Sequence, residues 1–234
     1  MSTPVLATVF DFSSIVIHPI STNSRGDKTA KVTDKNGNPV VLQLPPMTTF
    51  SGFGTLEKGG LVFHSIAVSL TDPTIRSKFV GLDEKVLDYI VANSQELKGK
   101  KMTKAVLVEA ELFKPFVKVS KKTDKNYTPS LSLKVPCVKG VDGKPDTYRV
   151  KAYGVDRKPM AVNDISKGSI ISAIVQLGNI WTGPMGVGCS MYFQQVKLES
   201  TGSLPECAFV DVAVPTAVAA AAAEDEEEYE DDDE

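Results

Sequence analysis

Residues 61–72, LVFHSIAVSLTD, place Val62, His64, Ile66, Val68 and Leu70 on one parity and Phe63, Ser65, Ala67 and Ser69 on the other. A period of two sends successive side chains to opposite faces, so this segment is a half-buried strand that needs strand partners. The chain offers them. Residues 13–20, SSIVIHPI, read as a short strand ended by Pro19, and residues 28–46 hold two β-rich runs around Asp34-Lys35-Asn36-Gly37-Asn38. Asn-Gly supplies the left-handed conformations of a tight turn, which predicts a hairpin.

One region carries helical spacing. In residues 77–100 Val86, Leu87, Ile90 and Val91 share an apolar face, Asp83 is a candidate cap, and the element closes near Gly99. From residue 104 the chain reads as extended, with a turn at Asp124-Lys125-Asn126 and a strand in 147–155. Residues 169–200 form two β-rich runs around TGPMGVG, a closing hairpin. With 42% hydrophobic residues, 17 Gly and 14 Pro, the expectation is a mainly β domain, closed or nearly closed as a barrel with a helix inserted between strands. It spans residues 1–207, followed by an Ala-rich linker, 208–223, and an acidic tail, 224–234.

That tail is Glu224, Asp225, Glu226, Glu227, Glu228, Tyr229, Glu230, Asp231, Asp232, Asp233 and Glu234. The whole chain has 26 basic and 29 acidic side chains; without the tail, 26 face 19, a net of +7. A basic body therefore carries its own polyanion. Such a tail either solvates the chain or mimics the polyanion that the body binds.

Catalytic signals are sparse. There is no phosphate-binding glycine motif, and GPMGVG sits between strands, where a turn explains it. His18 and His64 read as structural or surface histidines. Cys137, Cys189 and Cys207 are odd in number, far apart and without C-x-x-C spacing, which argues against a disulfide framework and a zinc site and suits a reducing compartment. No metal, cofactor or enzyme activity is expected. No signal peptide or membrane span is apparent, so the expectation is an intracellular protein.

The basic charge is concentrated in Lys100, Lys101, Lys104, Lys114, Lys118, Lys121, Lys122 and Lys125, with Phe113, Phe116 and Tyr127 among them. Cations that track phosphates and rings that stack on bases are what single-stranded nucleic acid requires. Lys114, Lys118 and Lys122 keep the even spacing of one strand face. A solvated sheet face over buried aromatics fits the same spacing.

Taken in order, VLQLPPMTTFSGFG, LVFHSIAVSLTD, the LDEKVLDYIVANS helix, VLVEAELFKPFVKVSKKTDKNYTPSLSLKVP and IVQLGNIWTGPMGVGCSMYFQQVKLES resemble the OB-fold single-stranded DNA-binding proteins of nucleocytoplasmic large DNA viruses. Those are related to the T7-type phage single-stranded DNA-binding proteins. The resemblance covers about residues 40 to 200, and the acidic C-terminus is shared. It implies an OB-fold-like β-barrel that binds single-stranded DNA in viral replication, recombination or repair at the replication site of an infected cell. It implies that Lys114, Lys118, Lys121, Lys122 and Lys125 contact phosphates and that Phe116, Tyr127 and Trp181 stack. Lys134, Arg149 and Lys151 on the following strands complete the expected DNA-binding set. The tail would compete for the DNA groove and recruit replication proteins such as polymerase or helicase. One departure stands out: the T7-type tail ends in an aromatic residue, whereas Tyr229 is followed by five carboxylates. An exposed edge strand would support a homodimer. An acidic-tailed chaperone for basic proteins, a structural virion β-barrel and an RNA-binding protein are the competing expectations.

Overall fold

The computed structural model describes residues 3–24, 26–58, 61–120, 127–138, 140, 146–184 and 186–202. The chain divides into two units, Met1–Ser203 and Leu204–Glu234; the linker and acidic tail lie outside the described residues, as do Lys121, Lys122 and Lys125.

Five strands form a hydrogen-bonded circuit. Val41–Lys58 pairs with Leu61–Ser69, and that strand pairs with Ser130–Val135. Ser130–Val135 runs parallel to Gly186–Ser200, which pairs along its other edge with Ile170–Gly183, and Ile170–Gly183 returns to Val41–Lys58. Numbered by sequence, the order is 1-2-3-5-4 and back to 1, the arrangement of a partly open five-stranded Greek-key barrel of the OB type. Only Met191↔Leu133 and Tyr192↔Lys134 join the third and fifth strands.

The alternation seen in sequence makes the core. His64, Ile66, Val68 and Leu70 are buried, and so are Leu131, Leu133 and Val135 opposite them. Leu42, Leu44, Val175, Leu177, Met191 and Phe193 complete the interior. Each fully buried large aliphatic or aromatic side chain contributes about 1.5–3 kcal/mol. Phe63, Ser65, Ala67, Ser132 and Lys134 take the opposite parity and remain half-buried.

A helix, Pro73–Ala92, is inserted between the second and third barrel strands. Its N-cap is Asp72, whose carboxylate accepts from the amides of Thr74 and Ile75, with Pro73 in the first turn. Ile75, Phe79, Leu82, Val86, Leu87 and Ile90 recur at helical spacing and are buried. A short helix, Ser94–Lys98, follows and ends at Gly99, whose φ of 74° closes it in the left-handed region.

Asp83, a candidate cap in sequence, is instead a buried mid-helix carboxylate. It accepts from the backbone N–H of Phe116 at 2.7 Å and of Val117 at 3.0 Å. Burial pushes its pKa up to about 6.

Four local expectations change. Pro19 does not end its strand; Val16–Thr22 runs through it, because a register shift between Ile17 and Ile20 removes the ladder bond that proline could not donate. The Asp34 turn forms, with its carboxylate accepting from Asn36 and Asn38 N–H, yet the runs on either side do not pair. Ile170–Gly183 lies between Lys28–Thr33 and Val41–Lys58. Residues 104–122 are not one strand: Lys104–Glu109 is helical with Thr103 as its cap, and Pro115 separates the two-residue strands Phe113–Lys114 and Val117–Lys118. Residues 147–155 also break, into Thr147–Tyr148, paired with Cys137–Val138, and Lys151–Tyr153 on the large sheet.

Candidate nucleic-acid interface

The outer wall of the barrel, where its third, fourth and fifth strands meet, gathers cations and rings. Lys134 projects outward from Ser130–Val135, opposite Tyr192 in the parallel ladder. Its Nζ lies 5.3 Å from the Trp181 ring centre, 5.8 Å from that of Phe63 and 5.9 Å from that of Tyr192. Trp181 is fixed by a 2.9 Å hydrogen bond from its Nε1 to Ser190 Oγ. Tyr192 lies against Gly178: a Cβ there would stand 2.6 Å from Tyr192 Cε2. The glycine sits in a β-bulge between Leu177 and Ile180, and its bare backbone admits the ring. Lys31, Pro39, Gln176 and Asn179 edge the resulting open depression.

Two further lysines approach from the segment that Asp83 pins to the helix. Lys114 pairs with Gly188, where a Cβ would stand 2.6 Å from the Lys114 carbonyl oxygen, so glycine is required for that strand to dock. Lys118 pairs with Ser130. Burial lowers the pKa of Lys118, and the charge of Lys114 lowers it further. Burial also pushes Lys134 down, with Lys118 adding to the effect. Lys118 and Lys134 thus sit where desolvation and a neighbouring lysine disfavour their charge, an arrangement that a bound polyanion relieves.

The lysines and tryptophan expected from sequence therefore meet in part: Lys114, Lys118, Lys134 and Trp181 share this wall. Phe116 does not stack on a ligand. It is 4% exposed and packs against Phe79, because the two amides held by Asp83 turn its segment inward. The even spacing of Lys114, Lys118 and Lys122 does not describe one strand face, since Pro115 breaks the strand and Lys122 lies outside the described residues. Tyr127 is exposed. Arg149 is exposed between two short strands, its amide donating to the Pro136 carbonyl, and Lys151 is exposed on Lys151–Tyr153 opposite Gln195; neither is on the strands that form this wall.

Not all of the basic charge is available to a ligand. Lys78 donates to the carbonyls of Ala7, Thr8 and Phe10, Lys85 to those of Ser13 and Ile15, and Lys98 to that of Gly183. Sequence reading missed Phe63 and Tyr192. Their signal was parity: each alternates with buried neighbours, so each points away from the core.

No protein-family model matches the sequence, and no curated protein matches it. Among solved structures, the chain is similar to the single-stranded DNA-binding protein from bacteriophage Enc34 in complex with ssDNA. The identity is 14%, with 81% of this chain and 97% of that chain covered and a TM-score of 0.44. A C-terminal truncation of the same phage protein gives 13%, 82%, 98% and 0.42. A further structure of that protein gives 10%, 80%, 92% and 0.41. A likeness at this distance decides nothing about function. Among the described residues no helix is long and apolar enough to cross a membrane.

Proposed function

We propose that this chain is a non-catalytic, sequence-tolerant single-stranded DNA-binding protein that acts in viral DNA replication, recombination or repair inside the infected cell. The observation that carries the reading is Lys134, a half-buried cation set among three aromatic rings on the outer wall of the barrel. Rings on an open wall offer stacking faces to unpaired bases, which a duplex keeps stacked on one another. Lys118 and Lys134 supply the positive track for the phosphates, with Lys114, which donates to the Glu111 carbonyl at 2.6 Å, beside them. Nothing in this pairing of stacking and charge depends on base identity.

The acidic tail is the regulator in this reading. Its ten carboxylates oppose a body with a net charge of +7, and eleven extended residues reach roughly 35–40 Å. The tail screens the wall until DNA displaces it and then recruits polymerase or helicase. A homodimer through an exposed edge strand is a further part of the proposal.

The test is fluorescence anisotropy with labelled single-stranded DNA, single-stranded RNA and duplex over a salt series, using the full chain and a form ending at Ala223. The expected result is preference for single strands, a linear fall of log affinity with log salt, and tighter binding by the truncation at low salt. Equal affinity of the two forms would remove the competition by the tail. No binding by either form would remove the DNA reading and point to a basic protein partner.

A further inference from the structure

A second cluster lies at the end of the barrel, on residues that the DNA reading does not use. His64 faces Val135 across the ladder. Two residues on, Cys137 pairs with Tyr148 in the small hairpin formed with Thr147–Tyr148, and Asp146 enters that hairpin just before it. This register brings one ligating atom from each of His64, Cys137 and Asp146 within 4.8 Å of the others. His64 Nε2 and Asp146 Oδ2 are 3.6 Å apart.

Each of two ligands is already oriented by a neighbour. Thr55 Oγ1 lies 3.1 Å from His64 Nδ1, which leaves Nε2 facing the cluster. Gly140 N–H donates to Asp146 Oδ1 at 2.9 Å, which leaves Oδ2 facing it. The imidazole is further held by Phe53, stacked at 5.3 Å, and by the edge contact with Tyr148 at 5.2 Å. Such supporting contacts are what fix metal ligands in place. The thiol lies beside the Asp146 carboxylate, whose negative charge disfavours a free thiolate nucleophile and is compatible with a thiolate only when a cation joins the cluster.

We infer that His64, Cys137 and Asp146 bind one divalent transition-metal ion, with Zn²⁺ the preferred species. Imidazole, thiolate and carboxylate form a mixed N/S/O set suited to Zn²⁺ and poorly suited to Ca²⁺ or Mg²⁺, which take oxygen ligands. Tetrahedral bonds of about 2.0–2.3 Å place ligand atoms roughly 3.3–3.8 Å apart. The histidine–aspartate pair already has that spacing, and the cluster closes with a shift of about 1 Å. A water completes the fourth position. The ion fastens the paired strands Cys137–Val138 and Thr147–Tyr148 to the barrel wall, and the ligands come from three segments, which is why no short cysteine spacing announced a zinc site.

The test is titration of the full-length protein with Co²⁺ alone. The expected result is a thiolate-to-cobalt charge-transfer band with tetrahedral visible bands, saturating at one ion per chain and displaced by Zn²⁺. Carboxylates of the tail cannot produce the charge-transfer band. The band disappears in Cys137→Ser, a part-exposed position that leaves the core intact, and Asp146→Asn weakens cobalt binding at least tenfold. Zn²⁺ raises the thermal midpoint of the wild type over that in chelator and leaves Cys137→Ser unmoved. Absence of the charge-transfer band, or its persistence in Cys137→Ser through another cysteine, overturns the inference.

Discussion

Replacing Lys134 by Met tests the interface most directly, because it removes the charge while keeping an unbranched side chain among the three rings. If Lys134 neutralises one phosphate of a single strand, log affinity carries about −0.7 per decade of salt on its account. Referred to 1 M, the variant then binds about 8-fold more weakly than wild type at 50 mM salt and about 3-fold more weakly at 200 mM, and the two converge as salt rises. Stability moves differently. The attraction lost is about 0.5–1 kcal/mol for a part-exposed cation over a ring. The Met thioether regains a comparable ring contact, about 0.3–1.5 kcal/mol. The cost of burying the charge, visible in the lowered pKa of Lys134, disappears. The thermal midpoint is therefore expected to hold or rise while affinity falls. Anisotropy at four or more salt concentrations, paired with thermal unfolding of the same preparations, reads both. A loss that is equal at every salt concentration refutes the phosphate contact. A marked drop in midpoint shows that Lys134 serves the fold instead.

Trp181, the single tryptophan of the chain, reports on stacking by itself: its fluorescence should be quenched on titration with single-stranded DNA. Trp181→Ala should cost about 10-fold in affinity, the lower part of the ~1–3 kcal/mol range for a stacked base, with the salt slope unchanged. Gly178→Ala pushes a Cβ into Tyr192. It should lower stability by about 1 kcal/mol and weaken DNA binding, and unaltered affinity would show that Tyr192 does not contribute. Asp83→Asn replaces a carboxylate that holds two buried amides and should cost roughly 1–3 kcal/mol at neutral pH through the amide it leaves unpaired. Because the folded pKa of Asp83 is raised, its protonation contribution is fully present below about pH 4 and is lost as pH rises through about 6. The wild type should thus exceed Asp83→Asn by more at pH 4 than at pH 7, up to ~3 kcal/mol at about 1.36 kcal/mol per pH unit. Urea midpoints at the two pH values measure this, and a gap that widens towards pH 7 contradicts it.

Sequence by itself determined the elements whose information is local. The alternation in 63–70 sorted buried from outward side chains, although Val62, on the buried parity, is exposed at the strand's start. The apolar spacing after residue 77 gave the helix, which breaks at Asn93, so that Gly99 ends only the short helix Ser94–Lys98. The residues around 183–186 gave the closing hairpin. The excess of cations over the body was also countable without coordinates. Tertiary structure decided what depends on strand neighbours distant in sequence. It placed Ile170–Gly183 between two strands that local turn chemistry had joined, because ladder partners are chosen by barrel closure as well as by the nearest turn. It turned Asp83 from a cap into a buried acceptor and Phe116 from a stacking residue into core, since both follow from the segment after residue 110 packing on the helix. The same closure brought Lys134, Phe63, Trp181 and Tyr192 together from four strands. Spacing along the chain cannot encode that meeting, because it is set by register across the barrel.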